Sequence, residues 1–179
     1  MRIIGGIHGG KALLAPKNLP TRPTTDFAKE GLFNILNNRI EFEGKTVLDL
    51  FAGTGNISLE FASRGASRVL SIDSHFACVK YIKEMARQLD LQTVLTEKAD
   101  VFKFMAGHQA SYDIIFADPP YDLSNIADIH QLVFDKKLLN EDGLLIIEHG
   151  PRTKLEDKAG FTEHRKYGNV NFSFFSLKG

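Results

Sequence analysis

Cysteine is almost absent from this chain. Cys78 stands alone, so no disulfide can form within the chain, and a reducing, cytoplasmic setting is expected. No histidine can be placed beside it from the sequence, so it reads as a small buried apolar side chain rather than a nucleophile. Long apolar runs are missing as well. No stretch approaches the ~20 residues of a membrane span, and Met1-Arg2-Ile3-Ile4-Gly5-Gly6 lacks the apolar core of a signal peptide. Internal repeats and low-complexity segments are also absent, which excludes a solenoid.

The formal net charge is zero, which excludes a uniformly basic surface. The distribution is uneven. Residues 1–30 carry five basic and two acidic side chains, residues 152–179 carry six and three, and the segment between carries eleven and seventeen. Basic ends around an acidic centre suit a chain that grips phosphates at its flanks.

The 179 residues, 43% of them apolar, fit one compact domain with a full core. Two short apolar runs, Arg2-Ile3-Ile4 and Lys11-Ala12-Leu13-Leu14, are separated by Gly5-Gly6 and Gly9-Gly10, which predicts a glycine-rich hairpin. Pro16, Pro20 and Pro23 then mark a loop. We therefore divide the chain into an N-terminal extension, 1–25, and a domain, 26–179. Asp26 is expected to cap a helix over Phe27–Asn37, with Phe27, Leu32, Ile35 and Leu36 on its apolar side.

From Thr46 onward, strand and helix patterns alternate. Strands are expected at 46–50, 68–72, 93–96, 112–117 and 143–148, and helices at 56–63, 76–89, 101–105 and 126–134. Such spacing implies right-handed βαβ crossovers and a mostly parallel sheet. At the end, 161–167 and 170–177 flank Gly168-Asn169 and read as an antiparallel pair closing the sheet. The hairpin extension is expected to add little to the core, leaving its cations for phosphate contacts.

The first strand runs into Asp49-Leu50-Phe51-Ala52-Gly53-Thr54-Gly55. Glycines after a parallel strand let backbone approach a ligand closely. Dinucleotide-binding loops share this element, but Ser58 stands where their third glycine belongs. Asp73, ending the second strand, is placed to bind ribose hydroxyls. Asp100, after the third, is placed either to meet an adenine edge or to cap the helix from Val101.

The fourth strand ends in Ala117-Asp118-Pro119-Pro120-Tyr121. Two prolines fix the backbone and remove N–H donors, leaving carbonyls that no donor in the loop can claim. The Asp118 carboxylate and the Pro119 carbonyl offer paired acceptors to the two hydrogens of an exocyclic amine. Binding both draws the nitrogen toward tetrahedral geometry and exposes its lone pair, while Tyr121 is placed to stack on a base. A methyl attached to a sulfonium reacts with such a nitrogen without a metal or a covalent intermediate, so positioning and fixed acceptors carry the catalysis.

The Asp-Pro-Pro-Tyr loop combined with the glycine loop resembles the amino-methyltransferases. Arg2-Ile3-Ile4-Gly5-Gly6, Leu19-Pro20-Thr21-Arg22-Pro23-Thr24-Thr25-Asp26 and Leu32-Phe33-Asn34-Ile35-Leu36 resemble, more narrowly, the bacterial 16S ribosomal RNA guanine-N2 methyltransferases of the D type. This resemblance implies a Rossmann-like class I methyltransferase fold, S-adenosylmethionine as donor and a guanine of small-subunit rRNA as target. It implies that Asp49, Ala52, Gly53, Gly55, Asp73 and Asp100 hold the cofactor. Asp118, Pro119 and Tyr121 would hold the base, and Arg2, Lys11 and Arg22 would face RNA, free or in a partly or fully assembled subunit. Two departures stand out: His8-Gly9-Gly10-Lys11 replaces the usual Arg-Gly-Arg, and Met85 replaces a frequent asparagine. The alternatives at this point are an enzyme of the same fold acting on DNA adenine or protein glutamine, a non-catalytic RNA-binding module and a dinucleotide oxidoreductase.

Overall fold

A computed structural model describes residues 1–21 and 24–178; Arg22, one of the expected RNA contacts, lies outside the described residues. Seven strands form one sheet: β1 (Thr46–Leu50), β2 (Arg68–Asp73), β3 (Val94–Lys98), β4 (Tyr112–Ala117), β5 (Leu139–His149), β6 (Phe161–Tyr167) and β7 (Val170–Ser176). Their order is β3-β2-β1-β4-β5-β7-β6. The first five are parallel, and β7 runs antiparallel between β5 and β6. The helices are α1 (Asp26–Asn37), α2 (Asn56–Ser63), α3 (Phe76–Gln88), α4 (Val101–Gly107) and α5 (Ala127–Asp135). None is long and apolar enough to cross a membrane among the described residues.

Alternation along β1 sorts the core. Val47 packs in the cluster beneath α1, α2 and α3, while Leu48 and Leu50 pack in the cluster beneath α4 and α5, as successive side chains of a strand face opposite sides. Chain order reverses across β1, with β2 on one side and β4 on the other. That switch point opens a crevice at the carboxyl ends of the two strands, where ligands of open parallel sheets bind.

Three expectations are corrected. Thr25, not Asp26, caps α1, its hydroxyl accepting from the Ala28 N–H. Phe27 is 66% exposed and stands edge-on to Tyr167, whereas Lys29 and Phe33 are fully buried on the inner side of the helix. β5 begins at Leu139 rather than 143; the polar run Asn140-Glu141-Asp142 hid its start, and the register shifts beside it.

The N-terminal segment is a minimal hairpin with one bridge, Arg2 to Ala12, around a turn of 3-10 helix at Gly6–His8. It contributes more to the core than expected, since Ile3 and Leu13 are buried in it. Glu60 on α2 fastens it, its carboxylate accepting from the backbone N–H of Ile4 (2.9 Å) and of Gly5 (2.8 Å). Gly6 has φ +76° and lies so close to the Ser63 carbonyl that a Cβ cannot fit. The Lys29 ammonium completes the joint. It is buried against Glu60 (2.8 Å), the Arg2 carbonyl (2.8 Å) and Asn56 Oδ1 (2.7 Å). Burial opposes ionisation of Glu60, but Lys29 and the surrounding donors outweigh it and hold the carboxyl below its usual range.

Candidate active site

The crevice at the switch point is a cleft of about 840 Å3, within the range of small-molecule sites. Its walls are the glycine loop after β1, the end of β2, the start of α4 and the Asp-Pro-Pro-Tyr loop after β4. Of the residues expected to act there, Asp49, Ala52, Gly53, Asp73, Asp100, Asp118, Pro119 and Tyr121 all line it. Gly55 is not part of the lining. Its φ of +77° caps α2, and a Cβ there would lie 2.8 Å from Ile82 Cγ1, so it allows α2 and α3 to pack closely.

Asp73 organises the glycine-loop end of the cleft. One carboxylate oxygen accepts from Gly53 N–H (2.9 Å) and the other from His75 N–H (2.9 Å), so one side chain fixes both the glycine loop and the entry to α3. The Gly53-bound oxygen keeps a second lone pair for a ligand, while the other also meets His75 Nδ1 at 3.2 Å. Asp100 caps α4 by accepting from Lys103 N–H (3.0 Å), and it also borders the cleft. Phe51, at φ +60°, is a non-glycine residue in left-handed backbone at the head of the loop, a conformation costing about 1–3 kcal/mol. Its ring meets Phe102 edge to face at 6.2 Å, and both border the cleft. Cys78 is buried, and burial pushes its thiol up to about 11, as suits a packing residue.

Asp49 sits beneath the loop, 1% exposed, where Ser58 donates to it at 2.5 Å. Burial, aided by the charge of Asp73 and opposed by Ser58, pushes its carboxyl up to about 7. The folded protein therefore keeps this proton to about pH 7, whereas the unfolded chain releases it near 3.8. Stability is expected to fall as pH rises through that window, by at most about 1.4 kcal/mol per unit. Asp49→Asn, neutral at every pH, should gain on the parent between pH 5 and pH 8. Urea midpoints at the two pH values check this, and an identical difference at both would show that Asp49 does not titrate there.

At the other loop, Asp118 follows β4 with its N–H donating to the Leu50 carbonyl (3.2 Å), which ties the loop to the end of β1. Only one of the two proline carbonyls is left as expected. Leu123 N–H claims that of Pro120 (3.0 Å), while among the described residues no backbone N–H takes that of Pro119. Asp118 is half-buried and Pro119 buried. Tyr121 is half-buried, its hydroxyl donating to Glu148 at 3.0 Å.

Several lining residues escaped the sequence reading. Leu19, Pro20, Thr21 and Thr24 belong to the loop before α1, yet they line the cleft. Thr21 lies over Gly53, where a Cβ would come within 3.2 Å of its methyl. Arg2 and Lys11 lie outside the cleft and are exposed. The link between the hairpin and the cleft is Lys29, whose ammonium bonds both the Arg2 carbonyl and Asn56, a cleft residue.

Comparison with known proteins gives the same picture. A Bacillus subtilis protein named "Putative rRNA methyltransferase YlbH" is 30% identical over 190 aligned residues, covering all of both chains. Ribosomal RNA small subunit methyltransferase D of Escherichia coli is 30% identical over 148 residues, 83% of this chain and 74% of that one. Among solved structures, a hypothetical protein of Thermus thermophilus, TTHA0928, matches with TM-score 0.85 at 27% identity, covering 98% of this chain and 99% of that one. The Thermus thermophilus 16S rRNA N2 G1207 methyltransferase RsmC, in complex with AdoMet and guanosine, matches with TM-score 0.70 at 26% identity over 88% of this chain and 45% of that one. The fold is thus the Rossmann-like class I methyltransferase fold. A family model spans residues 1–176, and the chain belongs to the family described as conserved hypothetical protein 95.

Proposed function

We propose that this protein transfers the methyl group of S-adenosylmethionine to the exocyclic N2 of a guanine in small-subunit ribosomal RNA. The observation that carries this reading is the meeting, in one cleft, of the Asp73-braced glycine loop with the Asp118–Pro119 acceptor pair. The names of the relatives favour rRNA as the substrate class, and the guanosine bound to the Thermus methyltransferase favours the base.

The residues present fit the cofactor. Asp73 offers the spare lone pair of its Gly53-bound oxygen to a ribose hydroxyl, the Gly53 backbone lets the chain approach the ligand, and Val101 and Phe102 give an apolar wall beside Asp100 for a flat base. Asp49 and Ala52 lie at the base of the same loop. When bound, the cofactor supplies a methyl group activated by a sulfonium. The chain's own residues do the rest. The Asp118 carboxylate and the Pro119 carbonyl accept the two amine hydrogens, hold the nitrogen lone pair on line with the methyl, and stabilise the positive charge the amine gains in transfer. Tyr121 presents its ring to the base. Arg2 and Lys11, together with Arg22, contact phosphates and position RNA without reading its sequence. The hairpin extension is in this reading the RNA-facing part of a cytoplasmic enzyme, acting on free rRNA or on a particle under assembly.

The direct test is mass spectrometry of rRNA nucleosides from cells with and without the protein. N2-methylguanosine in the small-subunit RNA is expected to drop by one residue per molecule without it. An unchanged level overturns the reading.

A further inference from the structure

The two walls of the cleft come from distant parts of the chain, and one buried side chain holds them both. Glu148, near the end of β5, is 2% exposed. One of its carboxylate oxygens accepts from the Thr24 hydroxyl at 2.6 Å and the other from the Tyr121 hydroxyl at 3.0 Å. Thr24 belongs to the loop before α1 and Tyr121 to the loop after β4, and both line the cleft, while Glu148 lies behind them. Asn56 holds Thr24 from the other side, its amide donating to the Thr24 carbonyl at 3.4 Å, and Lys29 in turn holds Asn56 at 2.7 Å.

A buried carboxylate is costly unless it is paired, and among the described residues Glu148 has no cationic partner. Fastening α1 to the sheet needs no charge there, since an aliphatic side chain would pack as well. What the carboxylate provides is two acceptors, aimed at two hydroxyls from separate lining loops.

We infer that Glu148 is a positioning residue: it pins Tyr121 and Thr24 together so that the base-facing ring is held in register with the cofactor side of the cleft. The inference rests on the methyl-transfer reading above. Tyr121 is anchored at its hydroxyl end by Glu148, and its ring lies against Gly150, where a Cβ would come within 3.0 Å of Cδ2. The ring has little freedom while both restraints hold. Losing the hydroxyl bond removes one restraint on the ring, and an error of about 1 Å in placing a reacting group can cost about 100-fold in rate.

The test uses the whole protein, S-adenosylmethionine labelled on the methyl, and unmodified small-subunit rRNA, free and in particles. Glu148→Leu should lower kcat by about 10–100-fold, with the cofactor dissociation constant unchanged by calorimetry and the protein still folded by its melting transition. Glu148→Gln keeps one acceptor and turns the other bond round, so it should retain most of the activity. Tyr121→Phe and Thr24→Val each remove one arm and should cost about 2–10-fold, but nothing further when combined with Glu148→Leu. Wild-type kcat in Glu148→Leu overturns the inference. So does a Gln variant as poor as the Leu variant, or a single-arm loss that persists undiminished in the double variant. If the unmodified protein transfers no methyl to either RNA while binding the cofactor, the functional reading has failed instead.

Discussion

Asp118→Ala should cut methyl transfer by about 10²–10³-fold or more, the cost of removing one preorganised electrostatic group from a reaction centre, while cofactor affinity stays within a few-fold. The asymmetry follows from geometry. Asp118 emerges from β4 beside the end of β1 and lines the cleft on the Asp-Pro-Pro-Tyr loop, whereas the glycine loop is braced by Asp73. Asp118→Asn sharpens the test. It preserves the size of the side chain and one acceptor oxygen but removes the charge, so it should fall below the parent while losing less than Ala. Calorimetry with S-adenosylmethionine and single-turnover transfer to rRNA separate binding from chemistry. Turnover near that of the parent in Asp118→Ala removes Asp118 from the mechanism. Lost cofactor binding in both would place it on the other side of the cleft.

Glu60→Leu should be the most destabilising single change, at about 3–5 kcal/mol, the range for breaking a buried ion pair by removing one partner. It strands the Lys29 ammonium, fully buried, with only a carbonyl and an amide oxygen for company. It also leaves the N–H groups of Ile4 and Gly5 without their acceptor, each worth about 1–3 kcal/mol when unsatisfied. Domains of this kind have about 5–15 kcal/mol in total. Urea unfolding gives the size of the effect, and limited proteolysis shows where it acts: residues 1–13 should become cleavable well below the global midpoint. Adding Lys29→Met should return part of the loss, because an apolar pair replaces an unpaired charge. A loss under about 1 kcal/mol would mean that water reaches the pair despite its burial.

The parallel sheet was legible because buried strands are runs of Val, Leu and Ile bounded by turn residues, as in Thr46–Leu50 and Tyr112–Ala117. Both cleft loops were legible because they follow such strands and carry residues with unusual backbone demands. What escaped depends on partners far away in sequence. Lys29 occupies an inward position of α1 that periodicity assigns to an apolar residue, and only Glu60 makes it tolerable. Phe27 belongs inside by its size, but its position on the helix turns it outward. Glu148 ends an apolar run, Leu144-Leu145-Ile146-Ile147, whose burial marks the acid as unusual, yet its two partners lie 124 and 27 residues away. The loop lining around Leu19–Thr24 has no period to read, only prolines.

The place of β7 in the sheet makes β6 depend on it. β6 pairs with the sheet only through β7, and β7 bonds to β5. The hairpin around Gly168-Asn169 is therefore held to the sheet along the single β5–β7 seam. Without that seam, the outer edge of β5 from Leu144 to His149 is open to any passing strand, with Glu148 on it. Any change that loosens the β5–β7 seam therefore uncovers the edge on which Glu148 stands, and reaches the cleft through Thr24 and Tyr121.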